Sequence, residues 1–260
     1  MSLNGLSFLN LEITTRCNKN SCWMCSRRTA PLDTEYGDMS FDLIRDIAKQ
    51  TPSGIILQFH GNGEPLLYPK LVDVMYLFKD QIKCITTNGK LLVKKAYDII
   101  GLVDTLSISI FEGDDEAREQ LEIIEQFITI KGDKKPFTNL KLIGDVSETP
   151  YLDLCLPIIR RQIHIEESSW AYTTKASVVP EIGICWDFLS HPCIHRNGDV
   201  SICVRYDPLE LGVLGNLNNN TLDELWNGEN RMEGLDLHKQ GKRGYIPLCS
   251  RCDYWGIPTV

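Results

Sequence analysis

The sequence predicts an α/β chain: a partial (β/α)6 barrel, TIM-like in outline, over residues 1–175, then a small cysteine-rich unit over residues 176–260. Three observations predict it. Short apolar runs alternate with amphipathic segments about six times, the pattern of a parallel sheet with right-handed helical crossovers. Polar, unusual sequences follow three of those strand-like runs, at the end where parallel barrels carry their chemistry. Beyond about residue 175 the periodicity gives way to short strands, frequent Gly, Asn and Pro, and a second set of cysteines.

In chain order, Phe8 to Ile13 reads as a strand that runs into Cys17-x4-Cys22-x2-Cys25. Ser40 suits the N-cap of a helix from Phe41 to Lys49. Ile55 to Phe59 is an apolar strand ending in His60-Gly61-Asn62-Gly63-Glu64-Pro65, and Lys70 to Phe78 has helical spacing. Ile82 to Ile85 is a strand ending in Thr86-Thr87-Asn88-Gly89, and Leu91 to Ile100 is a helix closed by Gly101. Thr105 to Ile110 alternates as a strand, and Asp114 to Ile130 is a long amphipathic helix. Leu140 to Ile143 reads as a strand, Leu152 to Gln162 as a helix and Ile163 to Glu166 as the sixth strand. In the second part only Thr221 to Trp226 reads as helix, with Thr221 and Glu224 forming a capping box. That part is too poor in apolar periodicity to build its own core, so a metal staple is expected there.

Composition narrows the function. Lys and Arg number 27 against 35 Asp and Glu, a net charge of −8, which argues against a nucleic-acid binder that displaces counterions with a basic face. No window nears the roughly 18 apolar residues of a membrane span. The start, MSLNGLSFLN, lacks a charged n-region and a long apolar stretch, so no secretory signal is expected and a cytoplasmic location is. Ten cysteines in a reducing compartment point to metal or redox chemistry. Seven fall into two groups: Cys17, Cys22 and Cys25, then Cys185, Cys203, Cys249 and Cys252. Cys84 and Cys155 read as small core residues, and Cys193 competes with Cys185 for a place in the second group.

Three thiolates on one loop suit a [4Fe–4S] cluster with one open iron; a [2Fe–2S] cluster or a zinc ion would want a fourth ligand. Four cysteines with one close pair suit either a four-thiolate zinc site or a [4Fe–4S] cluster. Taken singly, the GNGEP and TTNG strings are turn signals, and His60 reads as a structural histidine.

Together, a strand, TTRC, CWMC, GNGEPLL, TTNG and Ser107-Ile108-Ser109 at successive strand ends resemble the radical S-adenosylmethionine (radical SAM) superfamily over about residues 8 to 170. Here one extra residue, among Asn18 to Ser21, lengthens the family's usual C-x3-C-x2-C. The resemblance implies that the open iron takes the amino and carboxylate groups of S-adenosylmethionine (SAM). Reductive cleavage would then give a 5′-deoxyadenosyl radical that abstracts hydrogen from substrate. It implies that Gly63, Glu64 and Pro65 receive the methionine amino group, that Thr87, Asn88 and Ser109 meet the carboxylate and ribose, and that Met24 borders the adenine. Phe111 stands where relatives often carry Asp.

The second cysteine group, with Asn197-Gly198-Asp199-Val200, Leu214-Gly215-Asn216 and Leu225-Trp226-Asn227-Gly228, resembles the Twitch domain, a short form of the SPASM domain, over about residues 183 to 255. It implies one auxiliary [4Fe–4S] cluster, hence two clusters and SAM as cofactors. The layout most resembles radical SAM dehydrogenases that oxidise a secondary alcohol of an aminocyclitol. The expected activity is therefore oxidation of a small polar metabolite, a sugar or cyclitol, with a reductant such as flavodoxin or ferredoxin. Two alternatives stand: a maturase forming a thioether or carbon–carbon crosslink in a ribosomal peptide, and a non-catalytic iron–sulfur or zinc module. By position only, His164, Glu166, Glu167, Arg160, Arg161 and Arg205 are candidates for a substrate base.

Overall fold

Apolar runs separated by Gly- and Asn-bearing turns form β1 (Phe8–Leu11), β2 (Ile56–Phe59), β3 (Ile82–Thr87), β4 (Thr105–Phe111), β5 (Phe137–Ile143) and β6 (Ile158–Arg161). These strands pair in parallel, each with the next. This computed structural model describes residues 3–19, 22, 23, 25, 36–161, 183–204, 207, 209–250 and 252. Among them nine strands form one sheet in the order β6-β5-β4-β3-β2-β1-β7-β8-β9, so β6 and β1 do not meet and the barrel is partial.

Period-two alternation gives the sheet two unlike faces. Leu57, Phe59, Ile85, Leu106, Ile108, Ile110, Leu140 and Leu142 are buried in the core that the helices cover. Those helices are α1 (Phe41–Gln50), α2 (Leu71–Leu77), α3 (Ala96–Ile99) and α4 (Ala117–Lys131). Ser40 caps α1, its hydroxyl accepting from the Leu43 N–H at 3.2 Å. The other face carries Asn10, Gln58, Cys84, Ser107, Asn139 and Lys141. Parallel sheets are ordinarily apolar on both sides; a polar concave face is a surface prepared for something other than packing.

The chain departs from expectation in several places. The helix expected from Leu152 to Gln162 is absent. A 3-10 turn spans Thr149–Leu154, and β6 follows at once. Pro157 explains it, since proline cannot donate within a helix and drives the preceding residue to extended backbone. Cys155 ends that turn with φ 52° and is exposed, so it is not a core residue. Cys84 does lie on a strand, half-buried on the concave face. The helix expected from Leu91 shrinks to α3. The strand expected from Ile163 to Glu166 and the boundary near residue 176 lie outside the described residues.

The C-terminal part continues the sheet. β7 (Cys193–Ile194) pairs in parallel with β1, and β8 (Asp199–Ser201) and β9 (Val213–Asn216) follow antiparallel. Helices α5 (Trp186–Ser190), α6 (Leu222–Trp226), α7 (Glu229–Lys239) and α8 (Pro247–Ser250) surround them. The capping box of Thr221 and Glu224 is present on α6. Ile194, Val200, Leu222, Leu225 and Trp226 join the core of the barrel, while Cys185, Phe188, Ile202, Cys203, Leu235, Ile246 and Cys249 form a second, small core. The sequence missed α7 because its buried face is Arg231, Gly234, Leu235 and His238, which has no apolar period.

Candidate active site

The first cysteine loop is fixed at its root. The Thr14 hydroxyl donates to Asp38 Oδ1 at 2.7 Å, and Arg16 grips both carboxylate oxygens of Asp38. The Glu64 N–H donates to the Arg16 carbonyl at 2.7 Å. A Cβ on Gly63 would collide with the Thr14 carbonyl and stand 2.7 Å from that of Arg16, so only glycine lets the β2 loop lie against this backbone. Cys17 thus emerges where the ends of β1 and β2 meet. Its sulfur accepts from the Lys19 N–H at 3.5 Å and Asn88 Nδ2 at 3.8 Å. The Cys25 N–H donates to the Cys22 carbonyl at 3.1 Å, one turn that keeps the two cysteines neighbours. Burial pushes the Cys22 thiol up to about 11; the Lys19 ammonium opposes this, and the charges of Cys25 and Cys17 add to it. Met24 lies outside the described residues.

Lys19, within the lengthened part of the loop, forms an ion pair with Asp114 in which both side chains are buried. Its ammonium also sits 5.4 Å from the centroid of the Phe111 ring, which fills the place of the acidic residue expected there. Lys19→Met would strand a buried carboxylate and should destabilise the protein by about 3–5 kcal/mol, whereas Lys19→Met with Asp114→Leu should cost much less. Urea unfolding of the two variants checks this.

Glu64 joins the second and third loops. Its Oε1 accepts from Thr87 Oγ1 at 2.8 Å and the Leu66 N–H at 3.1 Å, and its Oε2 from the Asn88 N–H at 2.8 Å. Burial nevertheless outweighs these bonds and pushes the carboxyl up to about 7. Pro65 begins the 3-10 turn that Glu64 caps. Gln120, which the sequence did not single out, is wholly buried on α4 and donates to the carbonyls of Asn88 at 2.6 Å and Ser109 at 3.0 Å. The structure thereby brings Gly63, Glu64, Pro65, Thr87, Asn88 and Ser109 to one rim.

Below that rim lies the polar concave face. His60 reaches solvent there, yet protein encloses it closely enough that desolvation, with Lys141 next, lowers it to about 4. Burial and then the neighbouring Arg161 lower Lys141 to about 8. Glu12 is buried, accepts from the Asn62 N–H at 2.7 Å and stands 3.7 Å from His195 Nδ1. Burial works against charge on His195, but Cys193 and Glu12 raise it well above its ordinary value. Arg160 instead forms an exposed ion pair with Glu148 at 2.7 Å. His164, Glu166, Glu167 and Arg205 lie outside the described residues.

In the second cysteine group Cys185 precedes α5, and Cys203 and Cys249 share its small core. The Cys252 N–H donates to the Cys249 carbonyl at 3.2 Å. Burial pushes Cys249 up to about 12; Cys252 and Cys185 add to this and Arg243 opposes it. Cys193 stands apart on β7, its sulfur accepting from Asn10 Nδ2 at 3.2 Å, while Cys185 shares the small core of Cys249.

Among the described residues no three His, Cys, Asp or Glu side chains close around a single metal ion. The donor sets fit a cluster in kind: soft thiols, with N–H groups aimed at the sulfur of Cys17 as cluster thiolates require.

The family profile of the radical SAM superfamily matches residues 11–135, and that of the SPASM iron–sulfur cluster-binding domain matches residues 185–253. A tungsten-containing aldehyde ferredoxin oxidoreductase cofactor-modifying protein of Pyrococcus furiosus is 38% identical over 92 residues, 34% of this chain and only 25% of that protein. An S-adenosyl-L-methionine-dependent 2-deoxy-scyllo-inosamine dehydrogenase of Niallia circulans is 23% identical over 97% of this chain and 95% of its own. Among solved structures, BtrN in complex with AdoMet and 2-DOIA superposes with a TM-score of 0.66 at 18% identity, covering 95% of this chain and 93% of that one. Native anSMEcpe with bound AdoMet gives 0.62 at 14% identity, covering 97% and 92%. No helix among the described residues is long and apolar enough to cross a membrane. Each profile falls over one of the two thiol groups: the chain carries a radical SAM domain, that of an enzyme whose cofactors are SAM and a [4Fe–4S] cluster, and a SPASM-type domain for an auxiliary iron–sulfur cluster.

Proposed function

We propose that this enzyme is an oxidoreductase that converts a secondary alcohol of a small polar metabolite, a sugar or cyclitol, to a ketone. When bound, SAM and the first cluster supply a 5′-deoxyadenosyl radical able to take hydrogen from an unactivated carbon. Cys17, Cys22 and Cys25 hold that cluster. Glu64 has three protein donors and a lone-pair position left for the methionine ammonium. Gly63 and Pro65 shape its loop, Thr87, Asn88 and Ser109 meet the carboxylate and ribose, and Met24 borders the adenine. The hydroxyl-, amide- and amine-bearing concave face receives the substrate. Its alcohol carbon would lose a hydrogen atom and its hydroxyl a proton; Cys185, Cys203, Cys249 and Cys252 would hold the auxiliary cluster, which would supply the acceptor for the remaining electron. Flavodoxin or ferredoxin is the proposed reductant of the first cluster.

The observation that carries this reading is the convergence of protein thiols on one small core. Four protein ligands leave no iron for substrate, so the second cluster suits electron uptake. Likeness to the 2-deoxy-scyllo-inosamine dehydrogenase along nearly the whole chain supports the choice of substrate class. Cys249→Ala with Cys252→Ala should still form 5′-deoxyadenosine but no ketone, followed by mass spectrometry with 2-deoxy-scyllo-inosamine and myo-inositol as probes. A folded double variant with one cluster left that makes ketone at the native rate would overturn the electron-acceptor role.

A further inference from the structure

We infer that His238 tunes the auxiliary cluster toward accepting the electron, by donating a hydrogen bond to the sulfur of Cys249. The inference rests on the reading above, in which Cys249 is a cluster ligand. It starts from a cost: an imidazole with no solvent exposure lies against Phe188, a member of the small second core, where an unused polar ring would be unfavourable. Its position is held from two sides. The ring lies 4.6 Å from the Phe188 ring, centroid to centroid. Phe188 comes that close because α7 carries glycine at 234, where a Cβ would stand 2.5 Å from its ring edge. So placed, His238 Nε2 is 3.6 Å from Cys249 Sγ, within reach of an N–H···S bond. Arg243 Nη1 donates to the Cys249 carbonyl and fixes the same residue from the other side.

A donor on a cluster sulfur withdraws electron density from iron and favours the reduced state. His238 is therefore a positioning residue, acting through Cys249 rather than touching substrate. Its task is to keep the second cluster a better electron acceptor than the same cluster without the bond.

The test is a reductive titration of the reconstituted full-length protein, followed by electron paramagnetic resonance. The auxiliary signal is assigned from the variant lacking Cys17, Cys22 and Cys25. His238→Leu keeps an apolar contact with Phe188 and removes the donor; the auxiliary midpoint should become more negative, and ketone formed per 5′-deoxyadenosine should fall. His238→Gln, which restores an N–H donor, should return the potential toward native. An unchanged midpoint in His238→Leu, with both clusters present, overturns the inference. If His238→Leu loses its auxiliary cluster, His238→Gln decides: a near-native midpoint supports the role, and a shift or loss as large as that of Leu overturns it. Native protein holding only about four iron per chain, the content of a single [4Fe–4S] cluster, would instead refute the proposed function.

Discussion

Replacing Cys17, Cys22 and Cys25 with alanine should abolish reductive cleavage of SAM and lower iron and sulfide from about eight of each per chain to about four. The loss should be specific, because the bonds that fix the root of that loop do not run through the Cys17 thiol. Arg16 and Thr14 hold Asp38, and Glu64 holds the Arg16 carbonyl, whatever residue stands at position 17. Among the described residues, the bonds that end on the Cys17 sulfur are the weaker ones from Lys19 and Asn88. Far-ultraviolet circular dichroism should therefore be unchanged while 5′-deoxyadenosine disappears. Native protein that carries two zinc ions and no sulfide would overturn the cluster assignment for both groups.

Glu64→Ala should weaken SAM binding roughly ten- to 150-fold, the loss of about 1.5–3 kcal/mol for a charge-assisted hydrogen bond, with both clusters retained. Two effects add. The ammonium loses its carboxylate, and the Thr87 hydroxyl and the Leu66 and Asn88 N–H groups lose their acceptor. The elevated carboxyl gives a pH signature. Free Glu64 titrates at about 7, against an ordinary 4.5. SAM pairs with the ionised form, so its affinity should rise with pH through about 7 and binding should release a proton. Folding moves the opposite way. Between pH 4.5 and 7 the native protein holds a proton that the unfolded chain has lost, so stability falls as pH rises across that window. The full span is on the order of 3 kcal/mol. Glu64→Gln should flatten both profiles. Calorimetry at pH 6 and 8 that gives equal SAM affinities in native protein would remove Glu64 from the binding site.

The sequence displayed its chemistry where that chemistry needs loops. TTRC, GNGEP and TTNG are polar strings that interrupt apolar runs, which assigns them to strand ends from sequence alone. What supports them could not. Gln120 sits in an ordinary polar stretch of α4, and only its burial marks it. Asn10 and Cys193 are 183 positions apart and meet because β7 pairs with β1, which no periodicity announces. His238 and Arg231 occupy the buried face of a helix that an apolar template does not recognise. Pro157 is the exception, a signal legible in the sequence: its ring forbids a helix across it whatever the apolar spacing.

The pairing of β7 with β1 also bears on whether the two parts of the chain can be separated. β1 would become an edge strand if residues from 183 onward were removed, with the N–H groups of Asn10 and Glu12 losing the carbonyls of Pro192 and Ile194. The barrel core would lose Trp226, which is fully buried and donates from its indole to the Asn4 carbonyl at 3.0 Å. A bare parallel edge above an opened apolar core recruits other chains. A shortened protein ending at the barrel should therefore associate through that edge, and the intact protein should melt in one cooperative transition. Each cluster would then report on the folding of the other, so mild heating should release iron from both together.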